Sequence, residues 1–63
     1  MWAVVYMANN DEVANRIQEL LESEGLLVKV KEVTLTKEEG IREIMILSSE
    51  VDAAHNILIQ HGY

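Results

Sequence analysis

Two histidines and a nearby carboxylate are the residues of this chain whose types could bind a metal. His55 and His61 are its only imidazoles, and six positions along a helix place them roughly 240° apart, so they do not share a face. Asp52 and His55 do share one at i, i+3, but zinc needs three or four ligands. Because the sequence has no cysteine, we predict no metal site here and assign the pair to a solvated helix surface.

Two adjacent hydroxyls, those of Ser48 and Ser49, lie at the start of the second predicted helix. Ser49, with Asp52 three residues later, has the spacing of a capping box, and no histidine–acid pair is placed to activate Ser49 or Ser48 as a nucleophile. The chain also has no paired inward carboxylates and no glycine-rich cofactor loop. We therefore predict that it is not an enzyme, with no catalytic residues and no cofactor.

Binding of a small ligand is the remaining chemical function to consider. Five polar residues could contact such a ligand: Asn9, Asn10, Lys29, Lys31 and Glu43. The asparagines follow the first predicted strand, and the lysines share one face of the second strand with the glutamate in cross-strand reach. Both sets also have structural interpretations. Asn9 with Glu12 has the spacing of a helix N-cap and its reciprocal partner, and the lysines with the glutamate suit a cross-strand charge pair. Both interpretations stay open.

The charge balance argues against polyanionic partners. Five basic and eleven acidic residues give a net charge of −6, with no basic run, so we expect neither nucleic-acid nor membrane binding. No segment has the roughly 18 consecutive apolar residues of a membrane span. The first residues lack the basic stretch of a signal peptide. We expect a cytoplasmic protein.

Hydrophobic periodicity divides the chain into five elements. The predicted strands are Trp2–Met7, Leu26–Val33 and Ile41–Leu47, the predicted helices are Asn10–Gly25 and Ser49–Gln60, and Thr34–Gly40 is predicted to be a hairpin loop. The first helix carries an apolar stripe at Val13, Ala14, Ile17, Leu20 and Leu21, and the second at Val51, Ala54, Ile57 and Leu58. Gly25 is placed to be a left-handed C-cap.

This β-α-β-β-α order predicts an α+β fold in a single domain spanning residues 1–63. A right-handed crossover makes the first two strands parallel, and the third folds back between them. We expect a two-layer α/β plait: a three-stranded mixed sheet in the order 1-3-2 with both helices on one face. This is a truncated ferredoxin-like fold, lacking the fourth strand.

The sheet face without helices is the predicted interaction surface. Val28, Val30, Ile44 and Ile46 suit the covered face, together with Ala3 and Val5 from the first strand. The apolar residues assigned to the open face, and hence to an interface, are Trp2, Val4, Tyr6, Ile41, Met45 and Leu47. The first strand also presents an unpaired edge.

Size adds a second reason to expect association. A domain of 63 residues buries only about 60% of its unfolded surface, so its stability is marginal without help. We therefore expect a regulatory or protein-interaction module that self-associates, as a homodimer or other homo-oligomer, through its first strand and open face. Another protein partner remains an alternative occupant. The alternative function is a small-metabolite sensor with its site in a cleft between copies.

Several local patterns resemble a family of small prokaryotic domains labelled as signal-transducing proteins. They are the strand and turn Val4–Asn9, the segment Leu20–Leu26 with its Leu-Leu-x-x-x-Gly pattern, and the strand and acidic helix start Ile44–Ala54. The resemblance covers nearly the whole chain, although the proline that often follows the first strand in that family is missing here. It implies a fold similar to that of the trimeric nitrogen-regulatory signalling proteins, and it supplies no catalytic residues.

Some short chains of this appearance carry a glutamate decarboxylase label. That activity requires pyridoxal phosphate, with a Schiff-base lysine, a phosphate cradle and a partner for the pyridinium nitrogen. A single small sheet does not house these groups, so we do not assign the activity to this chain.

Overall fold

The computed structural model of the chain describes residues 1–33 and 40–63. Its elements follow the order β1 (Trp2–Ala8), α1 (Asp11–Ser23), β2 (Val28–Glu32), β3 (Arg42–Leu47), a 3-10 turn (Ser48–Glu50) and α2 (Val51–Gln60). The predicted order of strands and helices is confirmed. The predicted hairpin loop falls almost entirely outside the described residues. None of the described helices is long and apolar enough to cross a membrane.

The three strands form one sheet in the order β1-β3-β2, as the sequence predicts. β3 lies in the middle and is antiparallel to both of its neighbours. β1 and β2 therefore run in the same direction, but β3 separates them and no parallel pair forms. The prediction of a mixed sheet is wrong for this reason, and the sheet is antiparallel throughout.

Both helices bury their apolar stripes against the same face of this sheet. A single cluster of buried side chains joins α1, α2 and the strands: Ala8, Ala14, Ile17, Leu21, Ile44, Ile46, Ala54 and Leu58. Ile44 and Ile46 project from one side of β3, because alternate residues of a strand point to the same face. We call this side, with the residues paired to them on β1 and β2, the covered face. The placement of Val28 and Val30 beside this cluster is confirmed, and so are the predicted helix stripes except at Leu20, which is partly exposed and outside the cluster.

A β-bulge in β1 changes which side chains reach the covered face. Val4 pairs with Met45, but the next pair is Tyr6 with Ile44, so Val5 is an extra residue on β1. A bulge sets two residues of one strand against one of its partner, and both Val5 and Tyr6 pack against the buried cluster. The prediction that Tyr6 lies on the open face is therefore wrong, because it assumed uninterrupted alternation.

α1 ends in a Schellman motif. Gly25 has φ of +86°, a left-handed conformation that costs glycine little. Its N–H donates to the Glu22 carbonyl at 3.0 Å, and the N–H of Leu26 donates to the Leu21 carbonyl at 3.2 Å. α2 ends with the same pattern at Gly62, where φ is +83°. The predicted left-handed cap at Gly25 is confirmed.

The helix starts differ from the predictions. The N-cap of α1 is Asn10, whose Oδ1 accepts a hydrogen bond from the Val13 N–H at 2.9 Å, and not Asn9. No side chain caps α2, so the predicted capping box at Ser49 is also wrong. A 3-10 turn precedes that helix instead, and Ser48 Oγ donates to the Met1 carbonyl at 2.9 Å.

Candidate functional site

Register defines a second surface on the side of the sheet away from the helices. Paired residues of neighbouring strands point to the same side. On this side they form three rows, each of which runs across the strands. They are Trp2 with Leu47; Val4, Met45 and Lys29; and Met7, Glu43 and Lys31. We call these eight residues the open face. Apolar side chains occupy its β1 and β3 positions except at Glu43, and lysines occupy its β2 positions.

Among the described residues, no helix packs on the open face. Trp2, Val4 and Met7 are 36%, 42% and 50% exposed, whereas Ile44 and Ile46 on the opposite side are fully buried. Leu27, immediately before β2, is 65% exposed. Exposed apolar side chains that lie together on one face make that face a candidate interaction site.

Lys29 reaches across the sheet to Trp2. Its Nζ lies 5.7 Å from the centre of the Trp2 ring, within the range of a cation–π contact. The two residues belong to β2 and β1, which are separated by β3. The lysine side chain therefore crosses the apolar rows of the open face and partly covers Trp2.

Lys31 and Glu43 are directly opposite one another in the register. The ion pairs within 4.0 Å that join described residues involve Arg16 and Arg42, and this lysine and glutamate are not among them. The two charges are neighbours on the open face without forming a direct ion pair.

A different polar cluster occupies the end of the sheet where α1 begins. Arg42, in line with Ile44 on β3, has a side chain only 19% exposed. Its Nη2 lies 3.0 Å from Asp11 Oδ1 and its Nη1 lies 3.8 Å from Glu32 Oε1. The guanidinium thus links β3 to α1 and β2. Arg42 can occupy the end of the covered face because its apolar stem is buried while its charged group reaches carboxylates at the surface.

The predicted ligand residues Asn9 and Asn10 lie beside this cluster. Gly40 packs close to them, since a Cβ added there would lie 3.4 Å from the Asn9 carbonyl oxygen. Asn10 already uses its carboxamide oxygen as the cap of α1. Asp11 and Glu12 place negative charge at this helix start, which opposes an anionic ligand. Asn9 and Asn10 follow Ala8, the last paired residue of β1, and belong to none of the open-face rows that hold Lys29, Lys31 and Glu43.

The remaining chemical candidates stay on the surface. Asp52, His55 and His61 are all exposed. Within residues 1–33 and 40–63, no group of three or more histidine, cysteine, aspartate or glutamate side chains is arranged to hold a metal ion.

Two features of the open face were missed from sequence. Met7 belongs to it and Tyr6 does not, because the bulge shifts the alternation by one residue. The sequence shows apolar residues on both sides of β1 and carries no signal for the bulge. The Lys29–Trp2 contact was also missed, since it joins strands that are not neighbours. Ile41, assigned to the interface, is partly buried just before β3, where its carbonyl accepts from the Val33 N–H at 3.1 Å.

Comparison with known proteins adds no assignment. No family model, no curated protein and no solved structure matches this chain.

Proposed function

We propose that this chain is a protein-interaction module that self-associates through β1 and the open face. The observation that carries the proposal is the exposure of Trp2, Val4 and Met7 on a sheet face without a helix layer in the described residues. Burying such a surface against a second protein removes apolar area from water, which is the main driving force of association.

The small core supports the same proposal. The largest fully buried side chains are two isoleucines of β3 with Ile17 and Leu21 of α1, and all of them lie in the single layer between helices and sheet. Small domains without disulfides or metals commonly gain stability by oligomerising. A second copy on the open face would add a second apolar layer.

Charge distribution favours a second copy as the occupant. Five of the eleven acidic residues lie in α1 or at its C-cap, all exposed: Asp11, Glu12, Glu19, Glu22 and Glu24. The open face carries two lysines and one glutamate. Contact through the open faces would keep the acidic helix surfaces on the outside of the dimer, where repulsion between two chains of net charge −6 is weakest.

Sedimentation equilibrium over concentrations up to about 1 mM tests the proposal, since that range detects association as weak as a few kcal/mol. We expect the wild-type chain to associate reversibly. Val4→Glu places a charge in the middle row of the open face, beside Met45, and should abolish association while leaving the circular dichroism spectrum unchanged.

Ile59→Glu is the matched control. Ile59 is 72% exposed on α2, so this variant makes the same apolar-to-acidic change away from the open face. It should associate like the wild type. A wild-type chain that remains monomeric throughout, or two glutamate variants that dissociate equally, would contradict the proposal.

The metabolite sensor is the less supported alternative. Asn10 is committed to capping α1, Lys29 contacts Trp2, and the asparagines are not part of the paired rows that hold the open-face lysines. A ligand that binds the folded chain raises its melting temperature. A thermal-shift screen of nucleotides, 2-oxo acids and amino acids would revive this alternative if one class gave a clear shift.

The remaining assignments are proposals of the same kind. The β1-β3-β2 sheet with two helices supports a ferredoxin-like plait that lacks its fourth strand. A place in the prokaryotic signal-transducing family rests on the sequence patterns given above. We further propose that the chain has no nucleic-acid or membrane partners, on the basis of the net charge of −6. A cytoplasmic, non-enzymatic role is proposed on the sequence features given above.

A further inference from the structure

Two parts of β1 could accept a second copy: its outer edge and its open-face side chains. Strand addition at an edge needs a regular row of backbone donors and acceptors. The bulge between Val4 and Tyr6 interrupts β1 in its middle, and bulges are a common means of blocking edge pairing. The structure therefore favours contact through side chains of the open face.

The types of side chain on the three strands indicate which part of the open face a second copy would cover. On β1 and β3 the open face presents apolar side chains apart from Glu43, and on β2 it presents Lys29 and Lys31. Interfaces place apolar residues at their centre and charged residues at their rim. A second copy centred over β1 and β3 would leave β2 at the margin, in an isologous contact with a two-fold axis.

Lys29 stands in the way of that contact. It starts from the margin, but its Nζ lies over the Trp2 ring, so its side chain crosses the rows that the second copy would cover. Lysine is a common protective residue on exposed sheet surfaces, because its charge opposes the burial of apolar neighbours.

We propose that a second copy docks face to face over β1 and β3, and that Lys29, which covers Trp2 in the single chain, must be displaced for it to do so. This inference rests on the proposed function and adds to it the residue that limits self-association. At low concentration Lys29 covers part of the apolar face by its contact with Trp2. The dimer forms when the free energy gained by burying the two apolar faces exceeds the free energy lost with two Lys29–Trp2 contacts.

The area of the open face sets the scale of affinity. Strands about 4.8 Å apart that rise about 3.3 Å per residue give three short strands a footprint of roughly 15 by 20 Å. The area of this footprint is below the roughly 800 Å² per partner of a standard stable interface, even when the extra surface of the protruding side chains is included. We therefore expect a weak dimer, whose population responds to small changes at Lys29.

The test compares dissociation constants for the wild type, Lys29→Ala, Lys29→Arg and Lys31→Ala by sedimentation equilibrium. A cation–π contact at an exposed site changes an equilibrium constant by a factor of roughly two to five. Formation of each dimer removes two such contacts. Lys29→Ala should therefore tighten the dimer roughly four- to twenty-fivefold. Lys29→Arg retains a cation over the ring and should stay near the wild type.

Lys31→Ala is the matched control, since it removes the same charge from the same strand and face. It makes the chain more acidic and should leave affinity unchanged or slightly weaker, so net charge alone cannot produce the expected tightening. Trp2 is the only tryptophan, and its fluorescence in dilute, monomeric samples should change in Lys29→Ala and not in Lys31→Ala.

The outcomes separate this inference from the proposed function. If the wild type associates and Val4→Glu does not, but Lys29→Ala fails to tighten the dimer or weakens it, the role of Lys29 is overturned and the proposed function stands. Equal tightening by Lys29→Ala and Lys31→Ala also overturns it. If the wild type and Lys29→Ala both remain monomeric, both proposals fall.

Discussion

Ile44 and Met45 are neighbours in β3, yet they meet different surroundings. Ile44 is fully buried between the sheet and the two helices, whereas Met45 is partly exposed on the open face beside Val4 and Lys29. The difference comes from the two-residue repeat of the strand and from the placement of both helices on one side. The same strand therefore contributes to a fold-stabilising layer and to a surface available for binding.

The comparison of the two faces shows how a small domain can separate stability from recognition. Substitutions on the covered face should act on the free energy of unfolding, and substitutions on the open face should act on association. Because all eight buried residues of the described chain belong to one cluster, we expect a defect on the covered face to destabilise the whole domain.

The largest effect is expected from Ile44→Ala compared with Met45→Ala. Truncating a buried isoleucine costs about 2–5 kcal/mol, which is a large part of the stability of a small domain. Met45→Ala should cost less than about 1 kcal/mol in the monomer, since a partly exposed side chain loses less burial. Urea denaturation at low concentration, followed by circular dichroism, measures both. Equal losses would contradict the two-face description.

Tyr6→Ala compared with Val4→Ala tests the bulge. Tyr6 packs against the buried cluster, and its ring contacts Tyr63 edge-on with centroids 5.7 Å apart. Its truncation should cost about 2 kcal/mol of unfolding free energy. Val4→Ala should cost about 0.5 kcal/mol and weaken association instead. Regular alternation would reverse this order of stability effects, so the same denaturation experiment decides between the two registers.

Asn10→Ala compared with Asn9→Ala tests the start of the helix layer that distinguishes the faces. Asn10 caps α1 through its bond to the Val13 N–H, and loss of an N-cap costs about 1 kcal/mol. Asn9→Ala should be close to neutral, because Asn9 is not the cap. Thermal unfolding of the two single variants measures the difference, and a larger effect at Asn9 would restore the cap predicted from sequence.

The smallest effect is expected from Arg42→Met at the charged end of the covered face. Methionine retains much of the apolar stem but removes the ion pairs to Asp11 and Glu32, whose side chains are 74% and 61% exposed. The loss should be about 0.5 kcal/mol, and smaller still in high salt, because exposed pairs are weak and screened. Denaturation at low and high ionic strength checks this. A salt-independent loss would indicate that the hydrogen bond from Arg42 Nη1 to the Ile41 carbonyl, at 3.2 Å, is the larger contribution.

Much of the covered face could be predicted from sequence, because it depends on local periodicity. Periodicity assigns side chains to one side of an element before its neighbours are known. Examples are the apolar stripes of α1 and α2, and the two-residue spacing that puts Val28 and Val30 on the same face of β2. Gly25 ends α1 as predicted, since its left-handed conformation is a property of the residue itself.

The open face was predicted only in part, because it depends on register. Trp2, Val4, Met45 and Leu47 were assigned to it correctly, but Tyr6 and Met7 exchanged sides at the bulge. A bulge is selected by the packing of a whole strand against its partner, and the residues around Val5 are equally apolar on both sides. The capping predictions at Asn9 and Ser49 failed for a related reason, since neighbouring polar residues can cap alternative starts.

The amino-acid sequence was enough to predict the order of the elements, the buried stripes and the acidic balance, because composition and short-range periodicity carry that information. Three further features depend on tertiary packing: the bulge, the anchoring of Arg42 between α1 and β2, and the reach of Lys29 across β3 to Trp2. These features join residues that are distant in the chain, so they depend on how complete elements pack and not on any local pattern.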